Sequence, residues 1–288
     1  KGAYEALKKR NDIEIILAGP EEDLKKKVSA YQDMPTERLS YCNATQVIEM
    51  AEPPVKAIRH KKDSSIVKGL TLVKEGNADA FISAGSTGAI LVGGQLIVGK
   101  LPGIKRAPLA PVIPTKKGVS LLIDCGANVD ARPEHLLSFA KMGSVYMENV
   151  LKKKNPTVGL LSIGTEEEKG NALVKETLPL LKECSDINFT GPVEARDVPF
   201  GAADVVVTEA FAGNIALKMY EGTAKMLASV LKESLTSTTR SKLGAALALP
   251  ALKKGLKEYD ASKYGGAPLL GLKGLVVKAH GSSKAVEI

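Results

Sequence analysis

Five polar, glycine-bearing loops are the parts of this 288-residue sequence best suited to bind a charged substrate. Each follows a short apolar run that predicts a β-strand. The loops are residues 84–88 (AGSTG), 125–130 (CGANVD), 164–171 (GTEEEKGN), 209–214 (EAFAGN) and 280–283 (HGSS). Glycine lets backbone N–H groups approach an anion, and the start of a helix adds a partial positive charge. A single loop of this kind is usually only a turn, but five together favour an anion-binding site.

Several familiar catalytic and cofactor motifs are absent from the sequence. There is no GxxxxGK[ST], no GxGxxG after a predicted strand, no GxSxG and no HExxH. The three histidines, His60, His135 and His280, are scattered and show no metal-ligand spacing. We therefore expect no metal, no cofactor and no nucleotide-binding fold of these kinds.

The segments between the loops predict an α/β fold. The predicted strands are residues 13–18, 80–83, 120–124, 158–163, 187–190, 204–208 and 275–278. The predicted helices are residues 66–75, 89–98, 133–151, 172–182 and 214–235. Apolar strands that alternate with amphipathic helices favour a three-layer α/β/α architecture with a mainly parallel sheet. Ligands bind beyond the carboxyl ends of such strands, where the five loops would converge.

Composition limits the possible classes of protein. With 44% hydrophobic and 25% charged residues the chain is an ordinary globular protein, and three cysteines fit a reducing cytoplasm. No apolar run reaches about 18 residues, so no membrane-spanning helix is expected.

The net charge is +8. Residues 218–278 hold 11 basic and 4 acidic side chains, a surplus of +7, which indicates either an acidic partner or a solvated face. Without Trp, and with 7 Tyr and 5 Phe, the chain is poorly equipped to stack bases, so no nucleic acid is expected.

Read together, the loops resemble those of the PlsX family, the acyl-[acyl-carrier-protein]:phosphate acyltransferases. The matching stretches run in order along almost the whole chain: 52–59 (EPPVKAIR), 62–65 (KDSS), 83–89 (SAGSTGA), 110–115 (APVIPT), 126–130 (GANVD), 164–166 (GTE), 213–214 (GN), 264–267 (YGGA) and 278–283 (KAHGSS). Ser86 stands where the family commonly has Asn, and Glu209-Ala210 where it has Asp-Gly. The family's opening strand and DAMGGDxAP loop are absent, and a final helical segment is shortened, so we expect a strand to precede Lys1.

The resemblance implies a reaction, a fold and a set of partners. Inorganic phosphate would attack a long-chain acyl thioester, giving acyl phosphate and free, acidic acyl carrier protein. The implied fold is similar to those of phosphotransacetylases and isocitrate or isopropylmalate dehydrogenases. The implied enzyme is a homodimer in the cytoplasm, peripherally bound to an anionic membrane. There its product would feed a membrane glycerol-3-phosphate acyltransferase and phosphatidic acid synthesis.

The same resemblance implies catalytic roles for three residues. Lys169 would contact phosphate or the developing negative charge, the alternative being a surface ion pair with Glu166. Asn214 would donate to the oxyanion from a turn at a helix start, and it could also cap that helix. His280 would protonate the leaving thiolate or bind phosphate, the alternative being a structural histidine.

Further residues would bind phosphate or line the entrance of the site. The expected phosphate or substrate ligands are Ser86, Thr87, Gly88, Asn128, Thr165 and Ser282, and the charged residues Asp130, Arg132 and Arg196 could line the same mouth. Cys125 is interpreted as a small core residue and not as a nucleophile. A covalent acyl-enzyme is not required.

Residues 214–259 predict a helical arm, separate from a catalytic core of residues 1–213 and 260–288. Residues 243–252 carry no charge, and Pro250 is expected to break or kink the arm into two helices. Leu247 and Leu249, flanked by Lys242, Lys253 and Lys254, could lie in a membrane interface. The alternative is that a dimer partner buries the same leucines; both could hold.

Three other functions stay open. A phosphotransacetylase would use a short acyl-CoA, and the apolar tip argues against it. A decarboxylating dehydrogenase would need a metal-binding aspartate cluster, which the sequence lacks. A basic membrane- or nucleic-acid-binding module would explain the charged C-terminal quarter but not the five loops.

Overall fold

The structure is a computed structural model that describes residues 1–257, 259, 265–281 and 283–288, with the side chains of residues 254, 256 and 257 outside the description. The chain forms two compact units, which are described separately. Unit 1 comprises Lys1–Leu109 with Ser262–Ile288, and unit 2 comprises Ala110–Ala261. The predicted core extends over both units and the predicted arm lies within unit 2, so the division into core and arm stays a prediction.

Helices and strands alternate along most of the described chain. The strands are β1 Ile15–Gly19, β2 Leu39–Asn43, β3 Ala80–Ser83, β4 Val112–Thr115, β5 Gly118–Ile123, β6 Thr157–Ser162, β7 Asn188–Glu194, β8 Val205–Val207, β9 Ala267–Pro268 and β10 Leu275–Lys278. The helices are α1 Gly2–Lys9, α2 Glu21–Val28, α3 Pro54–His60, α4 Ser65–Lys74, α5 Thr87–Gly93, α6 Pro133–Asn149, α7 Ala172–Lys182, α8 Ala210–Thr236 and α9 Thr239–Lys257. A π-helical segment, Gly94–Val98, extends α5, and 3-10 turns lie at Thr36–Arg38 and Ala195–Phe200.

Unit 1 contains two small sheets. In one, β1 pairs in parallel with β2; in the other the strand order is β3-β10-β9. Strand β10 is parallel to β3 and antiparallel to β9. Because Ser83 and Lys278 are partners at the carboxyl ends of β3 and β10, the loops that follow these strands leave the sheet at the same edge.

Unit 2 is built on a five-stranded sheet with the order β4-β5-β8-β6-β7. Strands β5, β8, β6 and β7 are mutually parallel, and β4 pairs antiparallel with β5. Hence the loops after β5, β6 and β8 all leave from one edge of the sheet.

Helices cover both faces of that sheet. Since alternate residues of a strand point to opposite sides, neighbouring residues contact helices on different faces. On one face a Cβ atom at Gly143 of α6 would lie 2.6 Å from Val205. On the other face Leu122 and Val206 form a buried cluster, against which α8 packs through Ala212, Ala216, Leu217 and Tyr220. The predicted three-layer α/β/α fold with a mainly parallel sheet is confirmed.

The predicted helical pair is present as α8 and α9, but its break is not at Pro250. Helix α9 continues through Pro250, and the chain breaks at Ser237 and Thr238. The cause is a reciprocal cap: the Ser241 backbone N–H donates to the Thr238 hydroxyl at 3.0 Å, and the Thr238 N–H donates to the Ser241 hydroxyl at 2.9 Å. Such a pair satisfies N–H groups that a new helix leaves open at its start.

The distal part of the pair has little cover in the described chain. Every residue from 222 to 234 is exposed, including Met226, Leu227 and Val230. In α9 Leu247 is 86% exposed and Leu249 is also exposed. Among the described residues no helix combines the length and the apolar character needed to cross a membrane.

Candidate active-site loops

Asp124 organises the loop that follows β5. Its buried carboxylate accepts from the backbone N–H groups of Gly126 at 3.2 Å, Ala127 at 3.0 Å and Asn128 at 2.8 Å. The Asn128 side-chain amide donates to it at 2.7 Å. One carboxylate therefore fixes the path of the whole turn. Sequence reasoning missed this residue; the signal was an aspartate at a strand end before a Gly-x-Asn turn.

Asn128 therefore has a structural role. It was predicted as a phosphate ligand, and it lies buried with its amide donating to Asp124. Its backbone carbonyl accepts from the Ala210 N–H at 3.2 Å. The phosphate role of Asn128 stays a prediction, and its structural role joins the loops after β5 and β8.

A close backbone approach locks the loop after β8 against the loop after β5. The Thr208 N–H donates to the Ile123 carbonyl at 2.7 Å, and the Asp124 N–H donates to the Thr208 carbonyl at 2.9 Å. A Cβ atom on Gly213 would overlap the carbonyl oxygen of Asp124. Glycine at position 213 therefore allows the first turn of α8 to lie directly on the β5 loop.

Asn214 lies inside α8 and does not cap it, so the capping alternative is wrong. The cap is Glu209, whose carboxylate accepts from the N–H groups of Phe211 at 2.6 Å and Ala212 at 2.8 Å. Asn214 is half-buried in the second turn, and its amide has no hydrogen-bond partner within the described part of the chain. That amide can therefore donate to a bound oxyanion without breaking an existing bond.

Lys169 is an exposed cation in the loop after β6. Its backbone N–H donates to the Glu166 carbonyl at 3.0 Å, which forms a turn. No ion pair joins its ammonium to a carboxylate among the described residues, so the alternative pairing with Glu166 is not formed. Thr165 is also exposed in this loop. The arrangement leaves Lys169 able to meet a substrate anion.

The end of the same loop is fixed by glycine and by a helix cap. Gly170 has φ +104°, a conformation in which a side chain would be strained, and Asn171 caps α7 by accepting from the Val174 N–H at 3.0 Å.

Ser162, the last residue of β6, has a buried hydroxyl without a partner in the described structure. Sequence analysis did not single out Ser162, and its position at a strand end was the only signal.

Cys125 is part of the core. Its side chain is buried, and the Sγ atom lies 3.5 Å from the Leu122 carbonyl oxygen. Burial, with smaller contributions from the charges of Asp124 and Glu221, raises the pKa of this thiol well above its ordinary value. A protonated thiol is a poor nucleophile. These observations support the interpretation of Cys125 as a small core residue.

In unit 1, Ser86 and Gly88 have structural functions of their own. Ser86 is buried and caps α5, with its hydroxyl accepting from the Ala89 N–H at 3.4 Å. A Cβ atom on Gly88 would lie 2.5 Å from Cγ of Pro54, so glycine lets α5 approach α3. Thr87 is half-buried in the first turn of α5. The predicted phosphate contacts of these three residues stay predictions.

His280 follows β10 at the edge where the Ser86 loop begins. The Ala279 N–H donates to the Ser83 carbonyl at 3.0 Å, which places the two loops side by side, and His280 is exposed. Ser282 lies outside the described residues. Lys278, which sequence reasoning noted only as part of a motif, is buried, and burial lowers its pKa. Its ammonium donates to the Ala279 carbonyl.

The structure therefore brings the predicted residues together in two groups. In unit 2, Asn128, Thr165 and Lys169 lie in loops at one edge of the sheet, and Asn214 lies in the second turn of α8, which begins at that edge. In unit 1, Ser86, Thr87 and Gly88 lie at the start of α5, and His280 follows β10 at the edge where that segment begins. Within the described residues no group of three or more His, Cys, Asp or Glu side chains could hold a metal ion.

Comparisons with known proteins identify the family of the chain. The family model for "Fatty acid synthesis protein" matches residues 1–288. The chain is 50% identical over 283 residues to the phosphate acyltransferase of Clostridium novyi, covering 98% of this chain and 85% of that protein. It is 49% identical over 285 residues to the phosphate acyltransferase of Clostridium acetobutylicum, covering 99% of this chain and 86% of that protein.

Solved structures support the fold. The EutD phosphotransacetylase from Staphylococcus aureus matches with a TM-score of 0.61 at 17% identity, over 99% of this chain and 86% of that one. A phosphotransacetylase from Streptococcus pyogenes matches with a TM-score of 0.56 at 17% identity, over 95% and 90%. At this identity the similarity establishes a phosphotransacetylase-like fold, as the sequence analysis expected.

Proposed function

The chain belongs to the PlsX family of phosphate acyltransferases, and we propose that it moves a long-chain acyl group from acyl carrier protein to inorganic phosphate. A phosphate oxygen attacks the thioester carbonyl carbon, and the carbon–sulfur bond then breaks. The electron pair leaves on sulfur, which takes up a proton, and the products are acyl phosphate and the carrier-protein thiol. The observation that carries the proposal is that the loop with Lys169 and the start of α8 with Asn214 follow neighbouring parallel strands at the same edge of the sheet. Among the described residues the Asn214 amide has no hydrogen-bond partner and the Lys169 ammonium has no ion-pair partner.

Positioning and charge stabilisation supply most of the proposed catalysis. Phosphate is largely ionised near neutral pH, so its oxygen needs little activation. The Lys169 ammonium contacts the phosphate or the negative charge that develops during the reaction, and the Asn214 amide donates to the oxyanion of the tetrahedral intermediate. Asp124 keeps the turn beneath α8 in place. The proposed attack by phosphate is direct and needs no covalent acyl-enzyme; burial raises the pKa of the Cys125 thiol, which disfavours this residue as a nucleophile.

For the residues of unit 1, the proposed roles come from the family resemblance. Ser86, Thr87, Gly88 and Ser282 contact phosphate, and His280 protonates the leaving thiolate. What supports His280 is its exposure at the end of β10, where a substrate could reach it. No cofactor or metal takes part in the proposed reaction.

The helical pair supports a proposal about location. Leu243 and Leu247 are exposed on α9, and Lys242 and Lys253 are exposed beside them. Apolar side chains next to lysines suit the interface of an anionic membrane. We propose peripheral binding there, which delivers a lipophilic acyl phosphate to a membrane glycerol-3-phosphate acyltransferase in phosphatidic acid synthesis.

We also propose that the chain dimerises through α8, the first helix of the pair. The exposed apolar residues Met226, Leu227 and Val230 lie on α8, where a second copy of the chain would cover them. The surplus of basic residues after Lys218 also suits an acidic carrier protein.

A thiol-release assay tests the proposed substrates. Carrier protein loaded with a long-chain acyl thioester should yield free thiol only when phosphate is present, whereas acetyl-CoA should react far more slowly. Comparable rates with acetyl-CoA would instead indicate a phosphotransacetylase, the alternative that the structural neighbours raise. Release without phosphate would indicate a thioesterase and would refute the proposal.

A further inference from the structure

A cavity of about 220 Å³ lies in unit 2 at the amino ends of β5 and β6. Its lining includes Thr115, Lys117, Ser120, Lys153, Thr157 and Asp204. The candidate active-site loops of this unit leave the same strands at their carboxyl ends. The cavity is therefore separate from those loops, and the proposed acyl transfer does not use it.

The cavity contains a buried polar atom that lacks a partner. Thr115 is only 4% exposed, and its hydroxyl oxygen has no hydrogen-bond partner in the described structure. Burying a hydroxyl without a hydrogen bond is unfavourable, so this atom in a cavity wall is suited to bond a molecule in the cavity, either water or a ligand. Gly201, at φ +73°, lies beside it, and a Cβ atom there would come within 3.1 Å of the hydroxyl oxygen.

The charges of the lining favour an anion. The carboxylate of Asp204 is already neutralised, since Lys153 lies 2.9 Å from one oxygen and the Thr157 N–H and hydroxyl each donate to the other at 2.9 Å. Lys117 has no ion-pair partner among the residues that the structure describes. One positive charge in the lining is therefore left without compensation.

Two hydrogen bonds to backbone carbonyls hold the walls of the cavity. The Lys116 N–H donates to the Pro199 carbonyl at 2.9 Å, which ties the β4–β5 turn to the 3-10 turn. The Ser120 hydroxyl donates to the Ala203 carbonyl at 2.7 Å. The positions of the Thr115 hydroxyl and of the Lys117 backbone are thus set by the fold before any ligand binds.

We propose that this cavity binds a compact tetrahedral oxyanion, either free phosphate or the phosphate group of a small monoester. The Thr115 hydroxyl donates one hydrogen bond to it and the Lys117 ammonium supplies the charge. An anion bound there joins the β4–β5 turn to the segment around Gly201 and stabilises folded unit 2 by mass action.

Calorimetric titration with sulfate tests the site, because sulfate has the shape of phosphate. Since the proposed active site would also bind sulfate, the measured quantity is the binding event that changes when residues of this cavity are replaced. Thr115→Val and Lys117→Ala should each weaken sulfate binding by about tenfold, the loss expected for one charge-assisted hydrogen bond. Lys116→Ala removes the same charge from the neighbouring exposed residue outside the cavity, and Thr115→Ser keeps the hydroxyl. Both controls should bind sulfate as the wild type does.

Thermal unfolding gives a second, independent readout. In chloride buffer Thr115→Val should raise the midpoint slightly, because it removes an unpartnered polar group, whereas the stabilisation by sulfate should shrink. Comparing sulfate with methyl phosphate separates the two ligand sources: tighter binding of methyl phosphate identifies a monoester site, and weaker binding a site for the free ion. If Lys117→Ala weakens binding no more than Lys116→Ala, or Thr115→Val binds like the wild type, the proposal is wrong.

Discussion

The Cα atom of Gly213 faces the carbonyl oxygen of Asp124 so closely that a Cβ atom would overlap it. This approach sets the distance between the loop after β5 and the first turn of α8, one residue before Asn214. Gly213→Ala should therefore displace α8 and lower both stability and turnover, the latter by about tenfold or more. Gly222→Ala, in the same helix but with open space around its Cα, should be neutral or slightly stabilising. Equal behaviour of the two variants, measured by thermal unfolding and thiol release, would contradict this account.

Cys125→Ala should leave turnover largely unchanged. The thiol is buried and burial raises its pKa, which disfavours it as a nucleophile; in the proposed mechanism phosphate itself attacks the thioester. A small loss of stability is expected from the lost core volume. The assay is thiol release, followed by denaturing mass spectrometry after rapid mixing with substrate. A folded but inactive variant, together with an acyl adduct on the wild type, would replace direct attack by a covalent mechanism.

Asp204→Asn should lower the free energy of unfolding at neutral pH by roughly 1.5–3 kcal/mol. Burial alone would raise the pKa of Asp204, but hydrogen bonds from Thr157 and Lys153 outweigh burial and hold it below its ordinary value. Because the folded-state pKa is the lower one, the stabilisation is present above the unfolded-state pKa of about 4 and is lost as the pH falls through the folded-state value.

Asp186→Asn is the matched control for that experiment. Asp186 forms an exposed ion pair with Lys141 at 2.6 Å, which should contribute less than about 1 kcal/mol. Urea unfolding in chloride buffer at neutral pH and near pH 3 measures both variants. A loss for Asp204→Asn that is the same at both pH values would show that the charge of this carboxylate is not responsible.

Replacing Leu247 and Leu249 by Glu should abolish co-sedimentation with anionic liposomes and leave turnover in solution nearly unchanged. Complete burial of a leucine contributes roughly 1.5–3 kcal/mol, which two glutamates would reverse. The control pair is Met226→Glu with Val230→Glu on α8, which should weaken dimerisation instead. A Leu247 and Leu249 variant that becomes monomeric by light scattering would assign these leucines to the dimer interface.

Strands and helices were predicted correctly from the sequence where an apolar run and the loop after it indicated the same element. The bounds of β3 and β10 matched the prediction, because each is an apolar run followed by a polar, glycine-bearing loop. Strand β4 was missed because Pro114 argues against a strand, although β4 is an edge strand, where proline is tolerated. In the arm the sequence analysis expected the break at Pro250 and did not consider Thr238 and Ser241, whose mutual cap begins α9.

The site was predicted only in part, for a physical reason. Loop composition indicated which segments could bind a ligand, since glycine and polar residues follow a strand there. The expected roles of Asn128, Lys169 and Asn214 came from the family resemblance and stay predictions. The role of Asp124 depends on three consecutive N–H groups turning toward one carboxylate, and the lack of a partner for Thr115 depends on the burial around it. Both are properties of the folded chain: the only sequence signal for Asp124 was its place at a strand end before a Gly-x-Asn turn, and Thr115 had none.

The most direct test of the proposed chemistry is phosphate-dependent thiol release from long-chain acyl carrier protein by Asn214→Ala and Lys169→Ala. Each variant should lose about a hundredfold or more in turnover, the scale of one lost oxyanion contact, while keeping the wild-type unfolding midpoint. Lys175→Ala, an exposed lysine on α7, serves as the charge-matched control and should keep full activity. If both variants turn over like Lys175→Ala, the loops at the carboxyl edge of the unit 2 sheet are not where acyl transfer is catalysed.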